Sequence, residues 1–474
     1  MAIFLAKFVV VKNRKSIYIS LMQPFVHLHV HSQYSLLDGQ ASINRIVDKA
    51  MNDGMAGIAL TDHGAMYGIK EFVNYIESVK SKIKNEIKQL SKDLESNPAS
   101  QKLKDEIAAK TAKLNFKPII GCECYCARRD RFSQTEKIDG SGWHLVVLAK
   151  NLTGYKNLIK MVSKSWTEGF YYRPRIDKEL LEKYHEGLII STACLGGEIP
   201  RKIDDGNIAG AEEAVQWFKN IFGDDFYLEI QRHKTDRTDA DQTTYPKQLH
   251  VNEEIIKIGK KYDVKVIATN DAHFVNEEDA DAHDRLICLS MGKDFDDPDR
   301  IRYTKQEWIK TTAEMNRIFA DIPEALANTV EIADKVEIYS INNPALMPFY
   351  PIESSFGTEE EYKAKFSEAE LIEKFGETNF NRLGGYDKVI RIQLESDYLR
   401  HLTRIGARNK YGEELSDEVV SRLKFELDTI THMGFPGYFL IVQDFINAAR
   451  QMDVAVGPGR GSAAGSAVAY CLGI

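Results

Sequence analysis

Residues 25–39 read FVHLHVHSQYSLLDG, a short apolar run that gives way to polar and metal-ligating side chains. A run of this kind is the mark of a buried strand ending at an open mouth. In an extended chain His27, His29 and His31 lie on alternate residues and are expected to share one face, with Asp38 nine residues beyond His29. Outward from this stretch the theme recurs six times before residue 275. The runs are GIALT (57–61), KPIIGCECY (117–125), HLVVLAK (144–150), GLIIST (187–192), FYLEI (226–230) and VKVIATN (264–270). Helical stretches separate them, so they read as parallel strands of an α/β fold. Seven such units predict a distorted (β/α) barrel one unit short of eight.

In a parallel barrel the residues that follow each strand gather at one mouth. That rule brings His63 of TDHG, Glu123 of GCECY, Cys194 of STACLGG, and Asp271 and His273 of TNDAH towards His29, His31 and Asp38. His144 opens its run instead of closing it, and periodicity gives no account of that placement. Mixed nitrogen, oxygen and sulfur donors suit Zn²⁺, or Mn²⁺ and Fe²⁺ where oxygen dominates. Nine donors exceed the positions of one ion and predict a cluster of two or three. A lone histidine near a strand end is commonly a packed core residue. Five of the twelve histidines at strand ends, beside acids and a thiol, argue against coincidence. His27 is expected to neighbour the site without joining it.

At 474 residues the chain exceeds one domain. Its net charge of −8 excludes a protein that coats nucleic acid indiscriminately, though not one with a basic groove. Six cysteines make no disulfide framework and fit a reducing cytoplasm. No run of eighteen apolar residues marks a membrane span.

Residues 1–23 read as an N-terminal extension without fixed structure, and 24–290 as the barrel domain. Within it, residues 76–114 read as an inserted helical hairpin, with apolar residues from Ile76 to Leu94 at helical spacing and a turn at Asn97-Pro98. Residues 291–355 read as a helical and linker region, with three prolines in NNPALMPFYP (342–351). From 356 to 474 long amphipathic helices lead into GPGRGSAAGSAVAYCLGI (457–474), a glycine-rich turn before a helix.

HLHVHS, TDHG, GCECY, the histidine of HLVVLAKN, TACLGGE and TNDAHF resemble the successive motifs of the PHP (polymerase and histidinol phosphatase) superfamily. Their order is similar to that in the C-family of bacterial replicative DNA polymerases, and the resemblance covers residues 24–474 apart from 76–114. It implies a trinuclear site held by His29, His31, Asp38, His63, Glu123, His144, Cys194, Asp271 and His273. Asp271, His273 and His63 would serve the catalysis of a proofreading 3′–5′ exonuclease. The segment from MGFPGYFLIVQDFINAAR (433–450) onward resembles the opening of a polymerase-beta-like palm. There Arg460, Gly461 and Ser462 would meet the incoming nucleotide's triphosphate. The palm's Mg²⁺-binding aspartates would lie beyond residue 474, so these residues alone are expected to incorporate no nucleotide. The last helix, with Val468, Tyr470 and Leu472, is expected to pack poorly. Primer-template DNA, nucleoside triphosphates, the sliding clamp and the clamp loader are the implied partners. Two other readings stay open: a metal-bound scaffold without activity, and a free-standing phosphatase.

Overall fold

The computed structural model describes residues 8–13, 16–343, 348–457, 459 and 461–474. They form two compact units, Met1–Ile341 and Asn342–Ile474. The division falls inside the 291–355 stretch, so most of that stretch belongs with the barrel.

Part of the N-terminal extension is ordered, against expectation: β1 (Phe8–Asn13) and β2 (Ser16–Leu21) pair antiparallel. Both are rich in Val and Ile, which favour extended chain. Residues 1–7 and 14–15 lie outside the described residues. The strands that follow are β3 (Gly57–Leu60), β4 (Lys117–Cys126), β5 (Trp143–Ala149), β6 (Phe170–Tyr171), β7 (Arg173–Ile176), β8 (Leu188–Ser191), β9 (Phe226–Ile230) and β10 (Val266–Ala268). Of these, β3, β4, β5, β8, β9 and β10 are neighbours in that order, and β6–β7 is a small hairpin on the edge of β4.

The curled sheet is closed by residues 27–31. The amides of Ala59 and Thr61 donate to the carbonyls of His27 and Val30, at 2.8 and 2.9 Å. On the other side the amide of His31 donates to Ala272 at 2.8 Å. That makes seven staves, as the repeated runs predict. Two details differ from the sequence reading. First, β5 runs antiparallel to both β4 and β8. The chain returns through residues 127–142 without a crossover helix, so the beginning of β5 lies at the mouth where the other staves end. Second, residues 25–31 are not a regular strand. Val26 and Leu28 point into the barrel, as do His29 and His31, so the alternation slips at Leu28–His29. His27 faces outward and engages the carbonyl of Lys310 at 2.8 Å, and the shared face of three histidines is reduced to two.

The lower barrel is filled by Val26, Leu28, Ile119, Leu148, Ile189 and Ile267, against Ile332 and Ala333 of the helix Pro323–Lys335. Lys117 donates to the carbonyls of Ala333 and Val336 at that helix's end, both at 2.8 Å. Halfway up, Gly121 leaves no space for a side chain: a Cβ there would meet Leu148 at 2.7 Å and the carbonyl of Val147 at 2.8 Å.

The helices Ile69–Ser96 and Gln101–Leu114 form a hairpin with its turn at residues 97–100. Ile69, Phe72, Val73 and Ile76 are buried in the barrel domain, Ile83 is the last buried residue, and the second helix buries none. In the second unit the helices Tyr386–Tyr411 and Asp417–Met433 pack with Ala467–Leu472 around Leu399, Leu427 and Leu440. Here the poor packing expected of the last helix is corrected. Val468 and Leu472 are buried, and only Tyr470 stands half exposed. Close approach is possible because residue 406 is glycine: a Cβ there would lie 1.9 Å from the carbonyl oxygen of Cys471. No helix among the described residues is long and apolar enough to cross a membrane.

Candidate metal centre

The barrel mouth gathers all nine side chains picked out from the sequence, with Glu123 at the middle. Its Oε1 lies 3.2 Å from His29 Nε2, 3.0 Å from His144 Nδ1 and 3.9 Å from Cys194 Sγ. Its Oε2 lies 2.8 Å from His63 Nδ1 and 3.3 Å from His31 Nε2. Asp271 Oδ1 stands 3.2 Å from both His29 Nε2 and His31 Nε2. Asp38 Oδ2 faces His273 Nε2 at 3.1 Å and His63 Nε2 at 3.3 Å. His144 joins this set because of the reversed direction of β5. Cys194 is 3.6 Å from His144 Nδ1. His27 is not brought in.

Three of the imidazoles are aimed by partners on their far side. Glu229 accepts from His29 Nδ1 at 2.7 Å, Ser35 Oγ lies 3.0 Å from His31 Nδ1, and the carbonyl of Asp271 accepts from His273 Nδ1 at 2.8 Å. Ser35 gives its own hydroxyl proton to Asp62 at 2.9 Å, so it receives the His31 proton. Each partner takes up Nδ1 and turns Nε2 towards the mouth. Tyr303 donates to Asp38 Oδ1 at 3.0 Å. The sequence reading missed Glu229, Ser35, Asp62 and Tyr303. Glu229 carried a usable signal, since FYLEI places a carboxylate inside an apolar strand, where a charge needs a partner.

Electrostatically the mouth is a lattice of opposed charges. Burial pushes the Glu123 carboxyl up, but His63, His144 and His29 outweigh it and hold it well below the usual carboxylate range. Burial acts likewise on Asp38, and His273 with His63 reverses it. Burial opposes a charge on His29, yet Asp271, Glu123 and Glu229 carry it well above the ordinary imidazole value. His273 is raised to about 9, Asp38 and Asp271 overcoming burial. The Cys194 thiol is pushed well up by burial, then by Glu123 and Asp271.

Even so, five atoms at the centre make no hydrogen bond: His29 Nε2, His31 Nε2, His63 Nδ1, Glu123 Oε2 and Asp271 Oδ1. A buried polar group left without a partner costs about 1–3 kcal/mol. Five at one place form a donor set with the composition and spacing that divalent cations require. Among the described residues, three groups of ligand atoms could each hold an ion, with all atoms in a group within 4.8 Å of one another. They are His31, Asp38, His63 and His273; His29, His31 and Glu123; and His63, Glu123 and His144. His31, Glu123 and His63 are each shared by two groups, the pattern of a compact cluster.

The second stretch singled out from the sequence lies in the other unit. Arg460 is outside the described residues. Gly461 has φ +75°, a conformation that favours glycine, and Ser462 opens a short 3-10 turn to Gly465. Beyond it, the first amides of the helix Ala467–Leu472 are already engaged. The Glu426 carboxylate accepts from Ala467 N and Val468 N at 3.2 and 3.0 Å, and from Ser466 Oγ at 2.7 Å.

Residues 27–233 match the PHP domain, and residues 397–474 match the bacterial DNA polymerase III alpha NTPase domain. The DNA polymerase III subunit alpha of Borreliella burgdorferi is 40% identical over 458 residues, covering 96% of this chain and 33% of that protein. Those of Aquifex aeolicus and Thermus aquaticus are 36% and 35% identical, again over 96% and 95% of this chain. The chain spans about a third of the length of these relatives. With a PHP barrel, the polymerase III alpha NTPase domain after it, and relatives matching it almost throughout, the chain belongs to the bacterial DNA polymerase III alpha family.

Proposed function

We propose that this chain acts within a template-directed DNA polymerase, and that its barrel is a metal-dependent 3′–5′ exonuclease able to proofread. The observation that carries the second reading is the set of five unpartnered donor atoms at the mouth. Bound ions would satisfy these atoms in an inert scaffold too, so it is turnover in the degradation assay that separates the two readings. His31, Asp38, His63 and His273 would hold one ion. His29, His31, Glu123 and Asp271 would hold a second, and His63, Glu123, His144 and Cys194 a third. Zn²⁺ or Mn²⁺ suits these donors, Fe²⁺ also fitting. Bound there, such ions supply Lewis acidity to phosphoryl oxygens and lower the pKa of water. The chain's own residues set the geometry: Glu229 and Ser35 aim His29 and His31, and Asp38 is shared by His63, His273 and Tyr303. Primer-template DNA, nucleoside triphosphates and Mg²⁺ are proposed for the polymerase reaction, with the sliding clamp and clamp loader as partners. The name of the relatives supports that part.

The test is degradation of a 5′-labelled oligonucleotide by the purified chain, with its metal content measured alongside. Asp271→Asn is expected to abolish 3′–5′ shortening while the fold is kept, since a neutral amide binds these cations more weakly than a carboxylate. Undiminished degradation by the variant, with contaminating nucleases excluded, refutes the exonuclease assignment. A metal-loaded wild-type chain that degrades nothing supports the scaffold.

A further inference from the structure

We infer that the aromatic face beside the metal centre is a docking platform for unpaired bases, so that the barrel takes a single-stranded 3′ end. This rests on the reading of the mouth as a phosphodiester site. A groove of about 590 Å³ runs from Asp38, His63 and His144 outward between aromatic side chains. Tyr67, Trp166, Phe170 and Tyr172 line it, and they are 55%, 42%, 49% and 68% exposed. So many exposed aromatic rings in one continuous patch are unusual on a surface facing only water.

These rings are arranged for stacking. Trp166 lies at the end of the helix Leu152–Thr167, and its Nε1 donates to the carbonyl of Gly64 at 2.8 Å. That bond ties an exposed ring to the loop that carries His63, so its orientation is set in advance. Phe170 stacks on it at 5.5 Å and 19°, and Tyr67 stands 6.5 Å away. Arg173 lines the same groove over the Tyr125 ring at 5.5 Å, and among the described residues it pairs with no carboxylate. One groove thus offers a phosphate site at its inner end, a free cation, and flat apolar faces farther out. A nucleotide has that order of chemistry, with an anionic phosphate at a short fixed reach from a π-face. A duplex hides its base faces in its own stack, whereas a single strand can turn them onto the rings.

Binding is measured on the whole 474-residue chain with a short oligothymidylate whose phosphorothioate links resist cleavage. The readouts are anisotropy and tryptophan fluorescence. The oligonucleotide is expected to quench the fluorescence, and Trp166→Ala is expected to raise Kd about tenfold, the effect of one lost base stack. Trp166→Phe keeps a stacking ring, so it is expected to hold Kd within about twofold while removing most of the quench. Blunt duplex of the same length is expected to bind Trp166→Ala and wild type alike. Wild-type affinity in Trp166→Ala, quenching that survives Trp166→Phe, or no binding of oligothymidylate at all overturns the proposal and leaves the face to a protein partner. Because the assay needs no turnover, a chain that hydrolyses nothing yet binds and quenches in this way sinks the exonuclease reading alone.

Discussion

His29 is held at Nδ1 by Glu229 at 2.7 Å, while its Nε2 faces the mouth carboxylates at 3.2 Å without an aligned hydrogen bond. Glu229 itself is fully buried and receives further bonds from Ser191 at 2.6 Å and Gln231 at 3.0 Å. Of the nine candidate donors it hydrogen-bonds His29 alone, so its effect passes through the orientation of that ring. Glu229→Gln keeps the shape but removes the charge that favours the Nδ1–H form. Metal affinity is expected to fall about 10–100-fold, the usual cost of losing such an outer partner. Titration of the chelator-treated chain with Zn²⁺ or Mn²⁺ measures it, and an unchanged affinity would show that His29 needs no such support. The same residue marks a limit of legibility. Most of the nine candidate donors stand in or beside a short polar motif at the end of an apolar run, whereas Glu229 is one letter in a strand and gains its meaning only from the ring that folds onto it.

Among the elements, the hairpin formed by Ile69–Ser96 and Gln101–Leu114 divides its burial unevenly. Its first two turns carry Phe72 and Val73 into the core, while the region past Ile83 is solvated and contributes no donor to the mouth. Replacing residues 84–113 with a short glycine–serine turn is expected to leave metal content and the melting temperature of the barrel nearly unchanged. Loss of bound metal in the shortened chain would show that the hairpin supports the site. The spacing from Ile76 to Leu94 revealed the helix, but not that it begins at Ile69, because a helix half in the core and half outside keeps one unbroken period. The direction of β5 was equally hidden. A buried strand is apolar in either sense, and only its pairing with β4 and β8 fixes which end carries the mouth.

Across the molecule, the nine donors all lie in Met1–Ile341 and none in Asn342–Ile474. Ions bound by the folded barrel and not by the unfolded chain stabilise it by about 2.7 kcal/mol when present at a hundred times Kd. Stripping them is therefore expected to lower the melting transition of the first unit and spare that of the second. Scanning calorimetry with and without a strong chelator reads this directly, and two coincident traces would mean that the mouth holds no ion that matters to folding. The amino-acid sequence by itself determined the seven apolar runs, the barrel they imply and which nine side chains are candidate donors. Those features are local: hydrophobic period and residue type are written in consecutive letters. Tertiary structure alone decided that β5 is reversed, so that His144 reaches the mouth, and that the alternation slips at Leu28–His29, which is what turns His27 outward. It also decided that Glu229 stands behind His29 and that Val468 and Leu472 are buried over Gly406. Each of these is a contact between residues far apart in the chain, fixed by which strand or helix lies alongside and invisible to any pattern along the chain.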